Sequence, residues 1–192
     1  MSGTLDLFRE SGAYLEGHFR LSSGLHSNGY MQSALVLQHP DKAAELGKAL
    51  ALLVAPHGPT VVLSPALGGI VIGHEVARAL GVRAVFAERQ DGTLTLRRGF
   101  TLGPEDRVVV IEDVVTTGGS TVETIDVAKA NGAEVVAAGS IVDRSGGWKA
   151  PVPYHALVTL SLPTWQEAEC PLCKEGTPAI KPGSRQAAPH SG

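Results

Sequence analysis

Short runs of β-branched residues alternate with helical segments along most of this chain, and this alternation limits the fold more than any other feature of the sequence. Such runs are typical of strands buried on both faces, and their alternation with helices predicts parallel βαβ units. Strands are predicted at 60–64, 82–88, 108–112, 134–142 and 154–160, and helices at 4–13, 40–55, 70–80 and 120–131. The sequence therefore predicts an α/β fold with a mostly parallel central sheet, right-handed crossovers and helices on both faces.

The length of 192 residues, 43% of them hydrophobic, favours one domain with a substantial core. We assign this domain to residues 1–162, in which residues 1–38 contribute a small hood and the turn-rich stretch 14–32 is predicted to form short strands and loops. Apolar periodicity stops near Pro163, and Gly, Pro and polar residues dominate from there on. Residues 163–192 are accordingly predicted to form an extension with a partly disordered tail.

Charge and hydropathy argue against two classes of partner. Sixteen Lys and Arg against nineteen Asp and Glu give a net charge of −3, which lacks the basic excess that binds nucleic acid. The longest apolar stretch, 49–55, is far short of the roughly 20 residues that span a membrane. Cysteine occurs only at Cys170 and Cys173, which excludes a disulfide framework in the body of the chain and favours a cytoplasmic location.

Three predicted strand ends carry polar or glycine-rich sequences: 64–69, 112–120 and 143–144. In open α/β sheets, ligands bind outside the carboxyl ends of the strands, so we expect these segments to lie side by side. The second segment places Glu112 and Asp113 before Thr116-Thr-Gly-Gly-Ser120, which leads into a helix. A helix N-terminus with glycines and hydroxyls favours a phosphate, and the absence of a following Lys excludes a Walker P-loop.

The two adjacent carboxylates would repel a phosphate unless an uncharged group lay between them and it. A ribose 5-phosphate satisfies this requirement, because its diol can donate to Glu112 and Asp113 while its phosphate occupies the turn. The carboxylates are also suited to stabilise positive charge developing on the ribose ring. Taken separately, an acidic pair on a loop and a capped helix are ordinary surface features, and it is their combination that indicates a ligand site.

The segment Val109-Val-Ile-Glu-Asp-Val-Val-Thr-Thr-Gly-Gly-Ser120 resembles the phosphoribosyl pyrophosphate (PRPP) motif of type I phosphoribosyltransferases. Phe19-Arg-Leu-Ser-Ser-Gly-Leu-His-Ser-Asn-Gly-Tyr30 is similar to the base-covering segment of the orotate phosphoribosyltransferases within that family, and Asp143-Arg144 to their strand-end pair. The resemblance extends over about residues 5–162. It implies the type I phosphoribosyltransferase fold and transfer of a phosphoribosyl group from PRPP to N1 of orotate, which yields orotidine 5-monophosphate and pyrophosphate in pyrimidine synthesis.

The resemblance also implies residue roles, a homodimer, and Mg²⁺ that arrives with PRPP rather than in a protein cage. Catalysis is assigned to Asp113, Glu112 and Arg89. The PRPP-binding residues would be Glu112, Asp113, Val114, Val115, Thr116, Thr117, Gly118, Gly119, Ser120, Ala66, Leu67, Gly68, Gly69 and Arg89. The orotate-binding residues would be Thr116, Arg144, Tyr30 and Met31, and a guanidinium such as that of Arg144 is well suited to clamp a planar carboxylate.

The sequence departs from this pattern in its cations. Family lysines that meet PRPP are replaced by Ser22 and Gly68, and no Lys lies between Lys48 and Lys129. We expect the basic cluster of Arg89, Arg97 and Arg98 to take their place, although a solvated basic hairpin is the simpler interpretation. Arginine supplies a permanent charge but cannot act as a general acid.

Two other functions remain open at this point: a PRPP- or nucleotide-sensing regulator without turnover, and a purine phosphoribosyltransferase. No protein-bound metal is assigned. Cys170-Pro-Leu-Cys173 has the spacing of a zinc half-site, but no second pair follows it, and completion across a dimer or by His155 or His190 is left open. The histidines at 18, 26, 57, 74 and 155 show no metal-ligand spacing and are expected on the surface or in the polar core.

Overall fold

The computed structural model describes residues 3–21 and 23–181 and divides the chain into two units. The larger unit comprises Met1–Ala13 and Gln32–Ser161, and the smaller one Tyr14–Met31 and Leu162–Gly192. This division differs from the predicted 1–162 domain and 163–192 extension, because the C-terminal segment pairs with an N-terminal strand. Ser22, His190 and the predicted tail from residue 182 onward lie outside the described residues.

The described residues form the following helices and strands, each numbered in chain order. The helices are α1 (Thr4–Glu10), α2 (Ser33–Leu37), α3 (Pro40–Val54), α4 (Gly68–Leu80), α5 (Gly119–Ala130) and α6 (Pro171–Lys174). The strands are β1 (Tyr14–Arg20), β2 (His26–Met31), β3 (Val61–Pro65), β4 (Arg83–Gln90), β5 (Thr93–Leu96), β6 (Arg107–Val115), β7 (Glu134–Asp143), β8 (Tyr154–Thr159) and β9 (Thr164–Trp165).

The larger unit is built on a six-stranded sheet of order β5-β4-β3-β6-β7-β8. All neighbouring pairs are parallel except β4 and β5, which form an antiparallel hairpin. The predicted α/β fold with a mostly parallel sheet is therefore confirmed. The chain leaves β3 toward β4 on one side and returns to β6 on the other, so the topological switch point, where such sheets bind ligands, lies between β3 and β6.

Helices cover both faces of this sheet because side chains alternate along each strand. On one face, Val61 and Leu63 of β3 share an apolar cluster with Ile125 and Ala128 of α5. On the other face, Gly73 of α4 lies against Val62 and Ser64 of the same strand. A methyl group at Gly73 would overlap the Ser64 hydroxyl, so glycine lets this helix approach the end of β3 closely.

Strand β6 continues to Val115, beyond its predicted end at Glu112, because its ladder with β7 pairs Val114 with Val142 and Val115 with Asp143. Helix α4 begins at Gly68, two positions before the predicted start at Ile70. The short helix α2 was not predicted. In the described parts of the chain, none of the helices combines the length and the apolar character needed to cross a lipid bilayer.

The smaller unit contains a three-stranded antiparallel sheet of order β1-β2-β9. Its last strand pairs His26 with Trp165 and Ser27 with Thr164. The backbone of Ile180 adds two hydrogen bonds, donating to His18 and accepting from Arg20, at 2.8 and 2.9 Å. The N-terminal strands and the C-terminal segment thus form one structure.

Candidate active site

The carboxyl ends of β3, β6 and β7 are adjacent in the sheet, which confirms that the three segments singled out in the sequence lie side by side. Each end leads into a short turn, and the turns after β3 and β6 run directly into helices α4 and α5. The site therefore combines two helix N-termini with the side chains of three strands, at the switch point of the fold.

The turn after β6 forms an open hollow lined by residues 112 and 114–121. Gly118 adopts a left-handed conformation with φ +78° and precedes the first residue of α5, so a side chain there would be strained. Thr116, Thr117, Gly119 and Ser120 are exposed, and the Gly119 amide lies 3.4 Å from the Thr117 hydroxyl. Free amides of a first helical turn and exposed hydroxyls are the donors that a phosphate requires.

Trp148 packs against this turn, although nothing in the sequence motif indicated it. Its indole ring lies so close to Gly118 that a β-carbon at residue 118 would overlap it. The ring also makes an edge contact with Tyr154, at 5.6 Å between centroids, and the Tyr154 hydroxyl lies 2.6 Å from that of Ser140. This row of contacts joins the turn at Gly118 to strands β7 and β8.

Glu112 and Asp113 lie within β6 rather than after it, and both are shielded from solvent. Glu112 is only 8% exposed, and burial, reinforced by the negative charge of Asp113, raises its pKa to about 8. Burial also raises the pKa of Asp113, against the effect of a hydrogen bond from the Val114 amide. Without a ligand the pair therefore holds a proton on Glu112 near neutral pH, and hydroxyl donors would favour its ionised form.

The loop after β3 touches both carboxyl groups. A β-carbon on Gly68 would lie 2.7 Å from Asp113 Oδ1, and one on Gly69 would lie 3.2 Å from Glu112 Oε2. The preceding Ala66–Leu67 peptide bond is cis. The two glycines thus bring the backbone of this loop against the acidic pair.

A groove of about 380 Å³ opens beside Asp113, which is within the range of small-molecule sites. Its walls come from α2 and from the start of α4, and sequence reasoning missed it because α2 has only five residues. The lining residues are Gln32, Ala34, Leu37, Gln38, Leu67, Gly68, Val71 and Asp113.

Arg144 follows β7 directly, and its amide donates to the carbonyl of Val115 at 2.8 Å, which places the residue beside the end of β6. The carboxylate of Asp143 accepts a hydrogen bond from the Ser145 amide at 2.8 Å. Arg144 is half-buried. It is therefore held at the same sheet edge as the carboxyl pair.

In the predicted basic cluster, Arg89 lies in β4 and Arg97 and Arg98 directly follow β5, and Arg89 and Arg98 have acidic partners. Arg89 pairs with Glu123 of α5 at 2.8 Å and donates to the Gly92 carbonyl at 2.7 Å. Arg98 binds Glu88 with two hydrogen bonds of 2.7 and 2.8 Å. The Arg89 and Glu123 side chains are 48% and 47% exposed, so this ion pair is weak and exchangeable.

Tyr30 and Met31 lie at the end of β2, in the smaller unit. Tyr30 is half-buried and packs its ring 5.9 Å from that of Phe19, and Met31 is buried. Their assignment to orotate binding stays a prediction.

A second group of polar side chains lies in the smaller unit: His18, His26, Cys170 and Cys173, with ligand atoms all within 4.8 Å of one another. His18 and His26, which we expected on the surface or in the polar core, are both buried, and they lie beside two cysteines that their sequence spacing did not indicate. The sequence could not show it, because His18 and Cys170 are 152 positions apart. His155, considered as a completing ligand, instead lies 2.8 Å from His57 in the larger unit.

Comparison with known proteins gives a consistent result. Residues 35–173 match the model of the phosphoribosyl transferase domain. A protein of Heliobacterium modesticaldum named orotate phosphoribosyltransferase is 56% identical over 94% of this chain and 96% of its own length. A protein of the same name from Pelotomaculum thermopropionicum is 52% identical over 94% and 95%.

Solved structures agree on the fold. The crystal structure of orotate phosphoribosyltransferase from Aeropyrum pernix superposes with a TM-score of 0.69 at 27% identity, covering 81% of this chain and 92% of that one. A Mycobacterium tuberculosis orotate phosphoribosyltransferase solved in complex with PRPP superposes with a TM-score of 0.65 at 24% identity, covering 82% and 96%.

Proposed function

The chain belongs to the orotate phosphoribosyltransferase family, and on that premise we propose that it transfers the 5-phosphoribosyl group of PRPP to N1 of orotate. The products are orotidine 5-monophosphate and pyrophosphate. In this transfer a bond forms between N1 and C1 of the ribose, while the bond from C1 to the pyrophosphate oxygen breaks. Pyrophosphate leaves with the electron pair, and the N1 proton passes to solvent.

The observation that carries the proposal is the joint position of the carboxyl pair, the phosphate-type turn and the glycine loop at one switch point. The turn at 116–120 offers donors to the 5-phosphate, and Glu112 and Asp113 accept from the ribose hydroxyls. The loop at 66–69 offers the amides of a helix start to pyrophosphate. PRPP carries a 5-phosphate, a ribose and a pyrophosphate in the same order as the turn, the carboxyl pair and the glycine loop, and its uncharged ribose lies between the two anionic ends.

The acidic pair also supplies electrostatic stabilisation. As the C1–O bond breaks, positive charge develops on the ribose ring, and carboxylates fixed nearby in a partly buried site favour that charge. Donation by the ribose hydroxyls stabilises the ionised form of Glu112, whose pKa of about 8 otherwise keeps it protonated at pH 7. Substrate binding thus favours the negative charge on Glu112 that stabilises the positive charge on the ribose ring.

We propose Mg²⁺ as the cation that accompanies PRPP. The site offers the carboxyl groups of Asp113 and Glu112 beside the glycine loop, and oxygen ligands of this kind suit a cation that keeps several waters. When bound, Mg²⁺ neutralises charge on the leaving pyrophosphate. The residues of this chain bind and orient the sugar.

The arginines of the basic cluster, Arg89 above all, would supply the positive charge that the protein offers to the pyrophosphate. The exposed ion pair of Arg89 with Glu123 is weak enough to be exchanged for a polyanion. Arg144, held beside the end of β6, would bind the orotate carboxylate with its planar fork, and Thr116, Tyr30 and Met31 would complete the base site. A homodimer, which the family resemblance implies, and a cytoplasmic location also belong to this proposal.

Product analysis tests the proposal. The protein is incubated with PRPP, orotate and Mg²⁺, and the nucleotide and pyrophosphate are quantified by anion-exchange chromatography. We expect one orotidine 5-monophosphate and one pyrophosphate for each PRPP consumed. Consumption of PRPP without the nucleotide, or binding of PRPP with no product, would favour a hydrolase or a sensor instead.

A further inference from the structure

Four metal-ligand side chains meet inside the smaller unit, away from any role in the proposed reaction. Nε2 of His18 lies 2.7 Å from Nδ1 of His26 and 3.4 Å from Sγ of Cys170. Sγ of Cys173 lies 3.2 Å from Nδ1 of His26 and 3.7 Å from Nε2 of His18. His18, His26 and Cys170 are buried, and Cys173 is half-buried.

Most of the separations are close to those of a tetrahedral ligand set, and all four ligand atoms lie within 4.8 Å of one another. With metal–nitrogen bonds of about 2.0 Å and metal–sulfur bonds of about 2.3 Å, the ligand atoms of a zinc site lie roughly 3.3 to 3.8 Å apart. Of the four nitrogen–sulfur pairs, two, at 3.4 and 3.7 Å, fall within that range, and a third, at 3.2 Å, is just below it. The two histidine nitrogens, which lie 2.7 Å apart at hydrogen-bond distance, need to separate by about 0.6 Å to reach that range.

The orientation of His18 is already that of a metal ligand. Its Nδ1 lies 2.6 Å from the carbonyl of Thr177, which can only accept, so Nδ1 carries the proton. Nε2 therefore presents its lone pair to the other three residues. A second hydrogen bond of this kind, from the outer ring nitrogen to a backbone carbonyl, commonly fixes the tautomer and orientation of metal-bound histidines.

The smaller unit also lacks the apolar core that would hold it together without a metal. Among its described residues, the buried hydrophobic side chains are Phe19, Met31 and Cys170, whereas His18 and His26 are 3% and 2% exposed. Nε2 of His26 has no hydrogen-bond partner in the described part of the chain. Units this small and this polar are usually stabilised by disulfides or a metal, and here both cysteines are free thiols.

We propose that His18, His26, Cys170 and Cys173 bind one structural zinc ion, which fastens the β1–β2 hairpin to the C-terminal segment around α6. Two cysteines and two histidines fill a tetrahedral shell, and a closed shell of this kind is structural rather than catalytic. Binding releases the two thiol protons to solvent and involves no change of oxidation state. The inference is independent of the proposed function.

Elemental analysis of the full-length protein, purified without chelators and dialysed against metal-free buffer, tests the site. We expect about one zinc ion per chain, and its loss in Cys173→Ser and in His26→Gln. His57→Gln is the matched control, because His57 also contacts a second histidine but has no cysteine beside it, and it should keep the metal.

A spectroscopic measurement on the unaltered chain covers the case in which the variants do not fold. Replacement of the bound ion by Co²⁺ should give the intense visible bands of tetrahedral cobalt together with a thiolate charge-transfer band. Chelator treatment in the absence of PRPP and Mg²⁺ should lower the melting temperature, and added zinc should restore it. Zinc well below one per chain, even after incubation with zinc under reducing conditions, together with no tetrahedral cobalt spectrum, would overturn the proposal.

Discussion

Gly68 lies against Asp113 so closely that a β-carbon on the glycine would be 2.7 Å from Oδ1 of the carboxylate. This contact joins the loop after β3 to the acidic pair of β6. Because the loop is assigned to pyrophosphate and the carboxylate to the ribose, the two ends of the bond that breaks are positioned by touching parts of the protein.

Gly68→Ala is therefore expected to displace Asp113 and to lower kcat/KM for PRPP by about 100-fold, the typical consequence of misplacing a group by about an ångström. Gly3→Ala is the control, because its β-carbon would meet Asp6 at an ordinary 3.4 Å. Steady-state kinetics with varied PRPP make the comparison. Wild-type kinetics in Gly68→Ala would show that the loop does not position the acidic pair.

Asp113→Asn keeps the shape of the side chain and removes its charge. We expect kcat to fall by roughly 100-fold, because a preorganised negative group no longer faces the developing positive charge. Asp126→Asn, an exposed position on α5, should leave kcat unchanged. An equal effect of both substitutions would remove the special role of Asp113.

The raised pKa of Glu112 makes stability depend on pH. The pKa of the Glu112 carboxyl is about 8 in the folded protein and about 4.5 in the unfolded chain. Between these pH values the folded protein holds a proton that the unfolded chain has lost. The free energy of unfolding therefore falls as the pH rises from about 4.5 to 8. Glu112→Gln should remove this slope. Relative to the wild type, the free energy of unfolding of the ligand-free variant should therefore be higher at pH 9 than at pH 5. Urea unfolding of both proteins at the two pH values measures it, and parallel pH profiles would contradict the assignment.

Arg144→Ala should raise the KM for orotate by about 10-fold to 100-fold, as expected for loss of a charge-assisted hydrogen bond, with little change in the KM for PRPP. Arg78→Ala, which removes an exposed arginine of α4 paired with Glu75, is the control. If the KM for orotate stays the same in Arg144→Ala, another residue binds the carboxylate.

Substitution of Arg89 and of Glu123 shows whether Arg89 binds pyrophosphate or only stabilises the hairpin. If Arg89 exchanges Glu123 for pyrophosphate, Arg89→Ala lowers kcat/KM for PRPP, whereas Glu123→Gln frees the guanidinium and leaves this ratio equal or higher. If the ion pair only stabilises the hairpin, both substitutions have the same small effect. Parallel kinetics and melting curves of the two variants distinguish these outcomes.

The larger unit could be predicted from the sequence because its signals are local and strong. The run from Val108 to Ile111 is apolar without interruption, and Gly81 ends α4 in the left-handed conformation that glycine favours. The observed ends of elements differ from the predicted ends where hydrogen bonding to a neighbouring strand determines them. Strand β6 is an example, because its ladder with β7 extends it to Val115.

The smaller unit could be predicted only in part: the short strands expected within 14–32 are present as β1 and β2, but its C-terminal elements were not predicted. Strand β9 has two residues and helix α6 four, too few to show any periodicity, and the contacts that organise them join positions about 150 apart in the chain. Trp148 was missed for the same reason, since only the fold brings it against Gly118. The site motif was visible because phosphate binding uses consecutive backbone amides, whereas a ligand set of distant side chains leaves no local pattern.

The most direct test of the central claim is substrate choice. The purified protein is mixed with Mg²⁺ and PRPP, and the loss of orotate absorbance in the ultraviolet is followed beside parallel reactions with adenine, hypoxanthine, xanthine and uracil. The account predicts turnover of orotate and of none of the other four bases, because only orotate offers a carboxylate to Arg144. Turnover of a purine with orotate inert, or PRPP binding without turnover of any base, would contradict it.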